Sequence, residues 1–141
     1  MEVDPNPTTV LNSGETAGVA PKKDKEALIE TGLQPDKVFL LPTSQEVEAT
    51  EVLRMDHKLC DPATEIHLVE DLHTSLGSVP KLADADYITV LDKKGASIYD
   101  GYTTTIKVSE KAVLEGYRCK QTGLWRIPLK AKVVTRIQTH C

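Results

Sequence analysis

The chain has 141 residues, of which 40% are hydrophobic and 4% aromatic, and its formal net charge is -4. This length accommodates one domain with a substantial core, and it is short for two ordinary domains. Positive and negative side chains are interspersed, which argues against nucleic-acid binding through phosphate neutralisation, and no apolar run approaches the ~20 residues of a membrane span. We therefore predict no nucleic-acid partner and no membrane association. Because the N-terminus lacks the charged and apolar regions of a signal peptide, we expect a soluble, intracellular protein.

The cysteines and histidines give no sign of a metal centre. Cys60, Cys119 and Cys141 are widely spaced, with no CxxC pair. We predict free thiols in a reducing compartment, no metal site and no cofactor. His67 alternates with apolar neighbours and is predicted to face solvent.

Short strands dominate the first half of the chain after an extended arm at residues 1–7. Glu46–Met55 alternates with a period of two, and the turn-prone residues 42–45 predict a hairpin with the preceding apolar run. Residues 21–34 fit a brief helical turn or an irregular loop. The strands predicted here are Thr8–Leu11, Ala17–Ala20, Lys37–Leu41, Glu46–Met55 and Thr64–Val69.

One helix and a further series of strands are predicted in the second half. Ser75–Ala85 has apolar residues at helical spacing, although Pro80 interrupts it. Asp92–Gly95 is typical of a hairpin turn, and Trp125, the only Trp, is expected to anchor the core. The remaining predicted strands are Tyr87–Leu91, Ala96–Asp100, Thr104–Val108, Ala112–Tyr117, Leu124–Leu129 and Ala131–Gln138. The pattern indicates a mostly-β sandwich or barrel with one short helix.

A pentapeptide near the N-terminus, Asn12-Ser13-Gly14-Glu15-Thr16, is the most informative motif. Taken alone, Asn-Ser-Gly is a sequence that favours a plain surface turn. It gains meaning from other segments that follow it in order. These are Leu41–Thr50, Ile66–Leu72, Ser75–Ala85, Gly116–Arg118 and Thr122–Leu129.

In this order, the segments resemble the aspartic protease domain of copia-type LTR retrotransposon polyproteins. The resemblance covers residues 8–129, with residues 130–141 as a C-terminal strand or tail. It implies a mostly-β, small, closed retropepsin-like barrel with one short helix, and a homodimer in which each subunit supplies one catalytic Asp. The family typically shows Asp-Ser-Gly-Ala-Thr where this chain has Asn12-Ser13-Gly14-Glu15-Thr16.

The resemblance also assigns roles to individual positions. Asn12 stands where the catalytic Asp is expected, while Ser13 and Gly14 keep the bracing and close-approach positions of the loop. A hairpin tip at Thr43, Ser44 and Gln45 corresponds to the flap that covers a bound peptide. An amide does not titrate and cannot act as a general base, so we predict negligible peptidase activity.

Three functions remain open from the sequence. The first is a retroelement-derived, catalytically inactive pseudoenzyme that acts as a dimerisation, peptide-binding or assembly module. The second is an aspartic endopeptidase that processes a retrotransposon polyprotein and is inactivated by the substitution at Asn12. The third is a structural subunit of a larger complex that uses exposed strand edges for contact. The expected partners are accordingly a second copy of the chain, a larger protein assembly or an extended peptide.

Overall fold

The computed structural model describes residues 7–41 and 43–130. The chain divides into two compact units, Met1–Ala85 and Asp86–Cys141. The predicted domain bounds at residues 8 and 129 stay a prediction, and the predicted arm at 1–7 and final strand at Ala131–Gln138 lie wholly or mostly outside the described residues. No helix in the described part of the chain is long and apolar enough to cross a membrane.

The first unit is built from seven strands and two short helices. A 3-10 helix spans Lys22–Ala27, and α1 spans Val79–Asp84. The strands are β1 (Val10–Asn12), β2 (Gly18–Ala20), β3 (Leu28–Glu30), β4 (Val38–Leu40), β5 (Glu46–Met55), β6 (Glu65–Val69) and β7 (Leu76–Ser78).

These seven strands form one mixed sheet. Six of them follow the order β1-β7-β2-β6-β5-β3, and β4 pairs with β5 beside this path. The pairs β1–β7 and β2–β6 are parallel, whereas β5 runs antiparallel to β3, β4 and β6. The mostly-β prediction is confirmed. Among the described residues, no pairing of β1 with β3 closes the sheet, so the closed barrel stays a prediction.

The hydrophobic core lies on one face of this sheet. Ala20, Leu53, Ile66 and Leu68 form a buried cluster, against which Leu28 and Met55 pack. The register places Leu53 opposite Ile66 across β5 and β6, so their side chains share a face. Residues one position away, such as Val19 and His67, therefore face the opposite side of the sheet.

Most strand predictions in this unit are confirmed, including the β4–β5 hairpin. Two features differ from the prediction. The stretch predicted as one helix at Ser75–Ala85 begins as strand β7, because Leu76–Ser78 pairs with β1, and the helix starts only at Val79. Leu28–Glu30 was predicted as part of a helical turn or loop but forms β3, because its backbone pairs with Leu53–Met55.

The second unit contains two hairpins. β8 (Tyr87–Leu91) pairs with β9 (Ala96–Asp100), and β10 (Tyr117–Arg118) pairs with β11 (Trp125–Arg126). The turn between β8 and β9 is closed by Asp92, whose carboxylate accepts hydrogen bonds from the backbone of Lys94 and Gly95. This hairpin is as predicted.

Four predictions in the second unit are wrong. No strand forms at Thr104–Val108, and Ala112–Tyr117 contributes only its last residue to β10. Trp125 is 43% exposed, with the Arg118 guanidinium 4.9 Å from its ring centroid, so it is a surface cation–π partner and not a core anchor. Cys119 is buried and disulfide-bonded, which corrects the prediction of a free thiol at this position.

Candidate functional site

The loop between β1 and β2 contains the pentapeptide and begins with an Asx turn. The Asn12 side-chain Oδ1 accepts a hydrogen bond of 2.8 Å from the Gly14 backbone N–H. A Cβ added at Gly14 would lie 3.3 Å from that oxygen, so glycine permits the close approach. Asn12 is half-buried at the end of β1, whereas Ser13 and Gly14 are exposed. The loop is thus a tight turn organised by the Asn12 amide.

Ser78 fixes the far side of this loop. It lies opposite Asn12 in the parallel β1–β7 pair, and its buried hydroxyl donates to the Glu15 carbonyl oxygen. The same Ser78 oxygen accepts a hydrogen bond from the Lys81 backbone N–H, which caps α1. One side chain therefore joins the pentapeptide loop, the end of β7 and the start of the helix.

A groove of about 760 Å³ lies beside the loop, and we call it the main groove. One wall is the loop segment Glu15–Ala17, and the facing wall is the strand segment Lys37–Leu41. Apolar side chains from the sheet and from the turn after β6, together with Lys81 of α1, line the rest. The remaining lining residues are Val19, Val69, Leu72, Leu76 and Lys81.

Nonlocal strand pairing brings these groove residues together. Val19 on β2 pairs with His67 on β6 and with Leu76 on β7, which places their side chains on the sheet face opposite the core. β4 lies on β5 and supplies Phe39, whose ring centroid is 5.6 Å from that of His67. The main groove is therefore the space between β4 and the sheet face that carries Val19, His67 and Leu76.

His67 is buried beneath this hairpin, which corrects its predicted solvent-facing position. It is 2% exposed, and its Nε2 lies 2.9 Å from Glu65 Oε1. The alternation of polar and apolar residues correctly predicts a strand, but both faces of β6 are covered. Alternation alone does not reveal a second covered face, because the cover comes from β4, nearly 30 residues earlier in the chain.

The hairpin tip is tightly turned. The Leu41 N–H donates to the Gln45 carbonyl at 2.9 Å, and the Ser44 N–H donates to the Leu41 carbonyl at 2.8 Å. Ser44 has a φ of 68°, in the left-handed region that costs a non-glycine residue conformational energy. Thr43, Ser44 and Gln45 are all exposed. These features give a well-defined tip beyond the strand that walls the groove.

Glu15 is the chemically distinctive group of the groove. Burial raises the pKa of its carboxyl above the ordinary range, and a hydrogen bond from the Ala17 backbone N–H partly opposes that rise. In the described part of the chain, Lys25 pairs with Glu51, and no Lys or Arg side chain lies within ion-pair distance of the Glu15 carboxylate. The groove therefore presents a partly desolvated carboxyl group beside an apolar wall.

The two predicted groups of site residues lie next to the main groove but do not line it. Asn12, Ser13 and Gly14 immediately precede its loop wall, and Thr43, Ser44 and Gln45 follow its strand wall. Their predicted roles stay predictions. No pattern in the sequence predicts that Ala17, Val19 and Leu76 line a groove, because they are ordinary apolar residues that only strand pairing brings together.

The chemistry available at this site is binding rather than proton transfer at Asn12. An amide offers a donor and an acceptor but no titrating group. Within residues 7–41 and 43–130, no cluster of three His, Cys, Asp or Glu side chains has an arrangement that could hold a metal ion. The groove instead offers apolar surface, the edge of β4, the half-buried carboxyl group of Glu15 and the lysines Lys37 and Lys81.

A scan against protein-family models found no match, and searches among curated proteins and among solved structures found no match to this chain either.

Proposed function

We propose that this chain is a retropepsin-like, catalytically inactive module that binds an extended peptide in the main groove. The main support for this proposal is the groove, which lies between the pentapeptide loop and the β4–β5 hairpin. In the resemblance set out above, these are the two segments between which a protease of this type holds its substrate.

The strand β4 supports an extended ligand. Among the described strands it pairs only with β5, so its other edge has backbone groups available for strand addition. Val38 and Leu40 are 55% and 69% exposed, and both line the groove. A peptide in extended conformation can bond to such an edge and place alternate side chains in the groove.

Asn12 supports the absence of catalysis. General acid–base catalysis contributes roughly 10²–10⁴-fold to a rate, and an amide cannot supply it. Glu15 does not replace it, because it stands three residues after the position of the expected Asp, beyond the turn that Asn12 and Gly14 close. Binding without cleavage is the behaviour that these side chains favour.

The binding proposal is tested with fluorescein-labelled nonapeptides that carry apolar residues at alternate positions, followed by fluorescence anisotropy. Leu40→Lys removes an apolar groove contact and should weaken the tightest binder about 10-fold, in keeping with the ~1.5–3 kcal/mol value of burying a leucine. Leu33→Lys is the matched control, because Leu33 is 57% exposed and does not line the groove. Equal affinities of the two variants would overturn the assignment of the groove.

The absence of catalysis is tested separately. The unaltered chain should not cleave peptides, and pepstatin-sensitive cleavage by it would refute the pseudoenzyme proposal. Asn12→Asp keeps an oxygen that can accept the Gly14 N–H bond and restores a titrating group. Pepstatin-sensitive cleavage gained by that variant would favour the second reading, an endopeptidase inactivated by substitution, whereas binding without cleavage would favour a module used only for binding.

A further inference from the structure

The backbone of Glu15 is held where the residue enters the main groove. Its carbonyl oxygen accepts a hydrogen bond from the Ser78 hydroxyl, which also caps α1. The point from which the carboxyl group enters the groove is therefore fixed before a ligand binds. Such preorganisation is what makes a polar group in an apolar groove selective.

The carboxylate also lacks a neutralising partner among the described residues. It lines the groove beside Ala17 and Val19, and the Lys–carboxylate pair of the described residues, Lys25–Glu51, does not include it. A partly buried charge without a partner is unfavourable, and a cationic group delivered by a ligand relieves that cost. We therefore expect the groove to bind a ligand with one positive charge more tightly than a neutral ligand of the same shape.

Two lysines line the same groove, and their charges would favour a negatively charged ligand. Lys37 is exposed and Lys81 is half-buried. A lysine carries its ammonium on a long, flexible stem that reaches water while the stem covers apolar surface. Lys37 and Lys81 can therefore keep their charges solvated without a ligand, whereas the shorter Glu15 side chain has less reach into water from its place in the loop.

From this geometry we propose that Glu15 is a specificity-determining residue, which selects extended peptides that carry a basic side chain next to apolar ones. The inference rests on the proposed peptide-binding function and names its ligand class. The basic side chain would form a charge-assisted hydrogen bond with the Glu15 carboxylate, while neighbouring apolar side chains lie against Val19 and Leu76.

The test compares labelled apolar nonapeptides whose central three positions carry, one at a time, Lys, norleucine or Glu. Norleucine keeps the stem of Lys without its charge. At pH 7 the best Lys peptide should bind the unaltered chain roughly 10-fold more tightly than the matching norleucine peptide. Glu15→Gln should bring this ratio close to one, because the amide carries no charge to attract the ammonium group. Glu26→Gln is the control, since it removes one exposed carboxylate outside the groove.

The outcomes separate this inference from the proposed function. If norleucine peptides bind and Leu40→Lys weakens them, but Lys adds nothing, the selectivity of Glu15 is refuted while peptide binding stands. Tightest binding of the Glu peptides would show that Lys37 and Lys81 set the preference, which also refutes it. If no peptide binds to any form of the protein, the proposed peptide-binding function is refuted, and the inference about Glu15 is refuted with it.

A pH series supplies a second readout. Protonation neutralises Glu15, so the Lys-to-norleucine ratio should fall toward one as the pH is lowered through the raised pKa of this carboxyl. A ratio that stays constant from pH 7 to pH 4 would contradict an electrostatic role for Glu15.

Discussion

The pentapeptide loop depends on hydrogen bonds made by two side chains, Asn12 and Ser78. Asn12 ends β1 and closes its turn onto Gly14, and Ser78 joins the loop to the helix by donating one hydrogen bond and accepting another. Neither role requires a carboxylate at position 12. The local structure of the loop is therefore compatible with loss of catalysis, because an amide oxygen accepts the Gly14 N–H as a carboxylate would.

The stability of the protein should depend on the titration of Glu15. Its pKa is raised in the folded protein, so the native state binds this proton more tightly than the unfolded chain does. The resulting stabilisation is fully present below the ordinary glutamate pKa and is lost as the pH rises through the raised pKa. We expect Glu15→Gln to be more stable than the unaltered chain at pH 7, by up to about 0.5 kcal/mol because the group is only half-buried, and equal to it at pH 3.

Urea denaturation at the two pH values measures this difference. Glu26→Gln controls for the loss of one negative charge at an exposed site. A less stable Glu15→Gln protein at pH 7 would mean that the bond from the Ala17 N–H outweighs the cost of desolvation, contrary to the expectation.

At the scale of the elements, the parallel strands β2 and β6 approach each other closely at Gly18. Gly18 lies opposite Ile66, and a Cβ added there would be 2.7 Å from Ile66 Cδ1 and 2.8 Å from the Glu65 carbonyl oxygen. The side chain of Ile66 can adjust, but the backbone oxygen cannot move without disturbing the ladder. This glycine therefore sets the distance between the loop that carries the groove wall and the centre of the sheet.

Gly18→Ala should consequently destabilise the protein by about 1–3 kcal/mol, the usual cost of overpacking a core. The change is measured from the midpoint of urea denaturation followed by far-UV circular dichroism. Gly95→Ala is the matched control, because an added Cβ there meets nothing within 4 Å, and it should change stability by less than about 1 kcal/mol. Equal effects of the two substitutions would contradict the close approach at β2 and β6.

On the scale of the whole molecule, buried apolar side chains are concentrated in the first unit. Apart from Cys119, every buried hydrophobic residue in the described part lies in Met1–Ala85. The second unit has two-stranded hairpins, which are marginally stable alone in water, and it exposes apolar residues such as Leu91 and Ile98. The two units should therefore differ in their ability to fold independently.

A fragment of residues 1–85 should keep a cooperative unfolding transition, because the full sheet and its core cluster lie within it. Circular dichroism in urea measures this, and a fragment without a sigmoidal transition would contradict the prediction. A fragment of residues 86–141 is the counterpart and should show no cooperative transition. Trp125, the only Trp, lies in that second unit, so its fluorescence in the intact chain follows the second unit separately.

Local pattern was sufficient for the elements whose structure is decided within a few residues. The alternation of Glu46–Met55 predicted β5 with its observed bounds, and Asp92–Gly95 predicted the β8–β9 turn that Asp92 closes. Both rest on interactions between near neighbours. The amide at Asn12, and with it the absence of a titrating group at that position, is likewise a property of the sequence alone.

The tertiary structure decided the features that depend on distant partners. Leu76–Ser78 has helical spacing but becomes a strand because β1, more than 60 residues earlier, pairs with it. His67 is buried because β4 covers it. The main groove has no signature in the sequence, since its walls come from separate segments of the chain. Hydrophobic periodicity records which side of an element is apolar, but only the pairing of strands determines what lies against that side.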